Sequence, residues 1–215
     1  MHCGPGVWKQ VAYLNMSDPS QQCPSAWREY NTNGVRACGR QVGTSSCRAT
    51  THSTGDQYSK ICGRVIGYQV GIPDAFNMNN RSITGFDGVT ITYGTQRTHV
   101  WSYVAGQSDT RNIPSDCPCS SSQAAMPPQF IGDNYYCESG NPSNIRSTSQ
   151  FFSNDPLWDG QQCEGTCCTG AKSSSPWFSV WLPAPTADMI KVSICLDQRT
   201  SDEDTPVELI EMYVQ

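Results

Sequence analysis

Twelve cysteines in a chain of 215 residues constrain this protein more than any other feature. They are Cys3, Cys23, Cys38, Cys47, Cys62, Cys117, Cys119, Cys137, Cys163, Cys167, Cys168 and Cys195, an even set that suits complete pairing. A cytosolic chain would use such residues for zinc, which asks for Cys-x-x-Cys pairs or nearby histidines. Neither is present. Cys117-Pro118-Cys119 and the vicinal Cys167-Cys168 make poor tetrahedral half-sites, and His2, His52 and His99 are scattered. Disulfides are therefore expected, and with them an oxidising, extracellular location. Spacing alone leaves the connectivity open.

Hydrophobic residues make up 37% of the chain and charged residues 15%, which is enough apolar material for a core and too little charge for a disordered tail. Glycine and proline punctuate it at short intervals, which favours short strands over helices. No stretch approaches the ~18 apolar residues of a membrane span. The net charge of -5, with thinly spread Lys and Arg, argues against nucleic acid. The sequons Asn15-Met16-Ser17 and Asn80-Arg81-Ser82 agree with secretion and glycosylation at Asn15 and Asn80. Met1-His2-Cys3-Gly4 lacks the basic start and apolar stretch of a signal peptide, so the sequence reads as a mature or trimmed region of a longer precursor.

Apolar and β-branched runs predict strands over 7–14, 64–70, 88–94, 98–104, 177–182, 189–195 and 207–214. The runs 88–94 and 98–104 flank Gly94-Thr95-Gln96-Arg97, a hairpin turn by length and composition. In 189–195, Ile190, Val192 and Ile194 share one face and Lys191, Ser193 and Cys195 the other, which predicts a half-solvated strand. In 207–214, Val207, Leu209 and Tyr213 oppose Glu208, Ile210, Met212 and Val214, and a strand apolar on both sides belongs inside a sheet. The polar segment 23–62 is read as a loop region stapled by its own cysteines, and 105–176 as a long irregular loop region. With no internal repeat and no linker, residues 1–215 are expected to form a single disulfide-rich domain. Its fold class is mostly β, sandwich-like, with little helix.

The strongest local constellation is Asn154-Asp155-Pro156-Leu157-Trp158-Asp159-Gly160, followed by Cys163 and Glu164. Asp155, Asp159 and Glu164 could offer oxygen ligands to calcium. The alternative is a plain Asp-Gly turn beside an anchoring tryptophan. The acidic run Ser201-Asp202-Glu203-Asp204-Thr205-Pro206 reads as a solvated turn before a strand. Aromatic rings in loops stack on sugars, and Tyr135, Tyr136, Trp158 and Trp177 are the candidate ligand-binding residues, against the plainer reading of loop packing. No Gly-x-Ser-x-Gly, His-Glu-x-x-His, phosphate loop or dinucleotide fingerprint occurs, so the chain is expected not to be an enzyme. A hydrolase built on a scattered Ser/His/Asp triad is the remaining catalytic alternative.

The landmarks 8–24, Tyr58-Ser59-Lys60-Ile61-Cys62-Gly63-Arg64, Asp87-Gly88-Val89, His99-Val100-Trp101, Cys117-Pro118-Cys119, 155–160, Cys167-Cys168, Pro176-Trp177-Phe178 and 208–214 occur in an order that resembles a family of cysteine-rich secreted proteins. That family is numerous in sponges, cnidarians and other invertebrates, and the resemblance covers nearly the whole chain. Gly4-Pro5-Gly6-Val7-Trp8 is distantly similar to the start of fibrinogen-related and intelectin-like domains, although their calcium loop is not recognisable here. The resemblance implies an extracellular-matrix, lectin-like or biomineral-associated role.

Together these readings give a non-catalytic extracellular module that binds glycan or matrix. The alternative is a structural protein of an extracellular or biomineral scaffold such as a sponge skeleton. That role would include homo- or hetero-assembly, with Ser120-Ser121-Ser122 and Ser173-Ser174-Ser175 facing mineral.

Overall fold

The structure, a computed structural model, describes residues 2–107, 128–141 and 177–215, apart from positions 33, 42, 44, 45, 72, 74, 77–82, 198, 199, 201 and 202. Its strands are β1 (Lys9–Asn15), β2 (Trp27–Thr32), β3 (Val35–Arg40), β4 (Ser46–His52), β5 (Tyr58–Gly67), β6 (Val70–Gly71) and β7 (Gly88–Tyr93). They continue with β8 (Thr98–Gln107), β9 (Tyr135–Asn141), β10 (Trp177–Thr186), β11 (Ile190–Leu196), β12 (Glu203–Asp204) and β13 (Val207–Val214). No helix occurs among the described residues. One sheet runs β10-β5-β13-β3-β2, with β1 also paired to β13; a second runs β4-β11-β7-β8-β9, and β12 pairs with β6. The protein is thus a disulfide-bonded, mostly β fold, as expected.

Apolar alternation decides which face of each sheet is inward. Ile61 and Val65 of β5, Phe178 of β10, and Ile210, Met212 and Val214 of β13 share one buried cluster with Val89 and Ile91 of β7, Trp101 and Tyr103 of β8, and Ile190, Val192 and Ile194 of β11. Burying each such side chain is worth roughly 1.5–3 kcal/mol against exposure. Trp101 stacks on Phe178 with ring centroids 4.6 Å apart, so the two sheets meet ring to ring. The expected hairpin is present: β7 and β8 pair antiparallel around Gly94 to Arg97. The last strand does lie inside its sheet, with β5 on one side and β1 and β3 on the other.

Four expectations are corrected. The segment 23–62 is not a loop region: it carries β2, β3, β4 and the first half of β5. β2 and β4 are edge strands that leave polar residues half-buried or exposed, so apolar periodicity could not reveal them. Only Cys23–Cys38 closes within that segment, whereas Cys47 bridges to Cys195 and Cys62 to Cys3. Region 105–176 likewise includes the end of β8 and all of β9, which pair in parallel, and a turn-rich stretch over 128–134; residues 108–127 and 142–176 lie outside the described set.

The outer side of β11 is solvated only in part, because Cys195 packs with Phe76, Phe86, Val104, Ile131 and Tyr135 in a second cluster and Ser193 is buried. In β13 the register shifts between Val207 and Leu209, and this puts Val207 in the main core with Ile210 and Met212 instead of opposite them. Cys137 is also disulfide-bonded, so every described cysteine is oxidised. That state fits an oxidising compartment.

Candidate functional site

Opposed residues in an antiparallel pair share a face. Trp177 of β10 stands opposite Arg64 of β5, Arg64 opposite Glu211 of β13, and Glu211 opposite Tyr13 of β1, so these four form a row across the outside of the first sheet. A second row begins with Trp181 opposite Lys60. Trp177 and Trp181 are four positions apart on β10, which puts them on the same face at roughly 13 Å from the strand rise. The Cys3–Cys62 bridge lies between the rows, since Cys62 opposes Ser179.

Each tryptophan carries a cation on its ring. Lys60 Nζ sits 4.0 Å from the Trp181 centroid, and the Arg64 guanidinium 5.0 Å from that of Trp177. These contacts and the 2.5 Å Arg64–Glu211 ion pair hold both indoles and their polar neighbours in place. Lys60 also donates to Gln215 Oε1 at 2.5 Å, and Gln10 Nε2 to the Tyr213 hydroxyl at 3.1 Å. Trp181 is 71% exposed and Tyr13 49%; Trp177 is half-buried because His2 stacks on it at 4.9 Å. The face therefore offers flat apolar rings beside fixed hydrogen-bonding groups, the two kinds of contact that a sugar ring presents.

Of the sequence-predicted binding residues that the structure describes, Tyr135, Tyr136 and Trp177, only Trp177 belongs to this face. Tyr135 and Tyr136 are 5% and 2% exposed, because β9 enters the second sheet beside β8 and each ring packs in a core cluster. They cannot stack on a ligand. Trp158 and the expected calcium ligands Asp155, Asp159 and Glu164 lie outside the described residues, as do Asn80, Cys117, Cys119, Cys163, Cys167, Cys168 and the two serine triplets. Asn15 ends β1 at a surface turn, its Oδ1 accepting from the Ser17 amide at 3.1 Å. Sequence reading missed Trp181, Tyr13, Lys60 and Arg64. Strict alternation along Trp177-Phe178-Ser179-Val180-Trp181 was the available signal, since Phe178 must face the core.

A different chemistry gathers inside. Carboxylate oxygens of Asp87, Asp197 and Glu203 lie within 4.8 Å of one another, so this triad could hold a metal ion. Asp87 Oδ1 accepts from the Asp197 amide at 3.1 Å. Next in the chain, Asp204 is fully buried and accepts from the Tyr30 hydroxyl at 2.5 Å and from the Thr205 amide at 2.9 Å. Burial raises the Asp204 pKa, opposed by the Tyr30 hydrogen bond and by Arg28 and Arg40, while burial and the Asp204 charge raise that of Tyr30. Arg40 is itself buried and donates to the Ser46 and Leu196 carbonyls. The acidic run expected as a solvated turn is thus interior at Glu203, Asp204 and Thr205, because distant cations and the β6 pairing compensate for its burial.

His99 Nε2 lies 2.9 Å from Ser102 Oγ, which donates to Thr90 Oγ1 at 2.9 Å. Ser102 and Thr90 are fully buried, so this chain ties β7 to β8 in the interior. Neither a family model nor a curated protein matches this chain.

Proposed function

We propose that the protein is a secreted, non-catalytic interaction module that binds glycan chains, free or in matrix, through the outer face of the six-stranded sheet. The observation that carries this reading is the pair of indoles on one face of β10, each with a cation over its ring and one of them largely exposed. Core tryptophans such as Trp101 show what such rings do when packing is their purpose. A ring left 71% exposed and braced from one side is instead preorganised for a partner.

Affinity measured against a panel of matrix polysaccharides, with the Trp177→Ala and Trp181→Ala variants, tests the proposal. Each substitution is expected to weaken binding about twofold to tenfold, from the ~0.5–1.5 kcal/mol of an aromatic contact beyond its area. Stability should change little for Trp181→Ala, given its exposure. Binding that survives both substitutions would move the ligand elsewhere. A native protein that ignores every polysaccharide and forms a stoichiometric assembly would instead make it a scaffold component.

Calcium is the second part of this reading, with the Asp87, Asp197 and Glu203 triad as its candidate site among the described residues. The donors are all carboxylate oxygens, the hard ligands that calcium prefers to nitrogen or sulfur. A ligand held only by the folded state stabilises by ~2.7 kcal/mol at a hundred times its Kd. Millimolar calcium should therefore raise the Tm by several degrees, EGTA should reverse this, and Glu203→Gln should abolish it. An unchanged Tm across a calcium titration would remove the ion from the account.

A further inference from the structure

A pocket of about 210 Å³ lies at the side of the sandwich, among β1, β2, β4, β13 and the loop at 21–24. Leu14, Trp27 and Ile210 give it apolar walls, and Gln22, Thr50 and His52 add polar groups. The Trp27 indole N–H already donates to the Arg48 carbonyl at 2.9 Å, so that residue offers the pocket only its ring. His52 differs. Its Nε2 is buried and has no hydrogen-bond partner among the described residues. Buried polar atoms are nearly always paired, so an orphan on a pocket wall points to a missing partner. Burial also lowers the His52 pKa from its ordinary 6.5, which keeps the imidazole neutral near pH 7 and leaves it no charge with which to select an ion.

Size and polarity narrow the occupant further. An apolar cavity of about 150 Å³ accepts benzene, so this pocket takes one substituted ring and excludes a peptide or a polysaccharide. A free monosaccharide is a poor fit, because each of its hydroxyls would need a partner and the walls are largely apolar. We propose that this pocket binds a small, uncharged aromatic alcohol. Its ring packs between Leu14, Trp27 and Ile210, and its hydroxyl hydrogen-bonds His52 Nε2. A polysaccharide does not fit this pocket, so the site is distinct from the glycan face, whose Tyr13 also lines it.

Calorimetric titration of the native protein with 4-methylphenol and with toluene separates the ring from the hydroxyl. Saturable one-to-one binding of 4-methylphenol is expected, with toluene at least fivefold weaker, the loss of about one hydrogen bond. His52→Phe should erase the preference while leaving the fold intact. Thr50→Trp, which fills the pocket from an edge strand, should abolish binding of both compounds and stands in if the first variant does not fold. No saturable binding of 4-methylphenol to native protein, equal affinity for toluene, or binding unchanged by both substitutions would overturn the assignment.

Discussion

Replacing Cys47 and Cys195 together by serine is expected to lower the unfolding free energy by about 5 kcal/mol, the loop-closure value for a bridge of this span. The two cysteines are 148 positions apart in the chain, yet stand directly opposite each other across β4 and β11. The Cys23–Cys38 bridge spans only 15 positions, and its loss should cost about 3 kcal/mol on the same basis. Local packing strengthens the contrast. β4 is the edge of the second sheet and contributes no residue to the main buried cluster, so the bridge and its ladder to β11 are its principal anchors. Since domains of this kind are stable by only ~5–15 kcal/mol, the double variant should lie near the limit of folding. Urea unfolding of the two double-serine variants measures both losses, and hydrogen exchange should show the β4 amides opening first. Equal losses for both bridges, or protected β4 amides in the Cys47/Cys195 variant, would contradict this ranking.

Acidification is expected to cost the native protein about 3 kcal/mol through His99 alone between pH 6.5 and 4. Burial lowers the His99 pKa from its ordinary 6.5 to about 4. In that window the unfolded chain binds a proton that the folded chain refuses, so stability is complete above pH 6.5 and falls with pH until the folded imidazole also protonates. His52 is lowered for the same reason and acts in the same direction. Asp204 opposes them, since its raised pKa means that the folded state takes up its proton first. The useful quantity is therefore the difference between native protein and His99→Gln. The variant should lose most of the slope between pH 6.5 and 4 in denaturant unfolding, although it also forfeits the edge-on contact of His99 with Phe130. Parallel slopes for the two proteins would show that His99 protonates freely in the fold.

The strands that bury an alternating apolar face were readable in the sequence, because their side chains state their own environment. The β7–β8 hairpin needed only Gly94 to Arg97 between two such runs, and β13 declared an interior position through apolar residues on both sides. Where an element's environment is supplied by distant chain, the reading failed. Tyr135 and Tyr136 resemble loop aromatics until β9 is seen to pair in parallel with β8, a partner whose paired residues lie more than thirty positions earlier. Glu203 and Asp204 resemble a solvated turn until Arg28, Tyr30 and Arg40 are brought beside Asp204 from the other end of the sequence. The polar strands β2 and β4 carry too little apolar alternation to be recognised by it.

The candidate site follows the same division. Trp177 was legible as an aromatic of interest and alternation along β10 puts Trp181 on its face, whereas the placing of Lys60 and Arg64 beside them depends on the register of β10 against β5, which no local pattern encodes. Cysteine pairing was equally non-local: the count announced oxidation, but only the sheets show why Cys47 meets Cys195 and Cys3 meets Cys62.

The most direct test of the glycan reading is to follow the indole N–H resonances of the protein by NMR while matrix polysaccharides and their oligosaccharides are added. The Trp177 and Trp181 signals should shift together and saturably, while those of the buried Trp27 and Trp101 stay in place. Saturable glycan binding that leaves the Trp177 and Trp181 resonances unmoved, or no binding to any glycan tested, would contradict it.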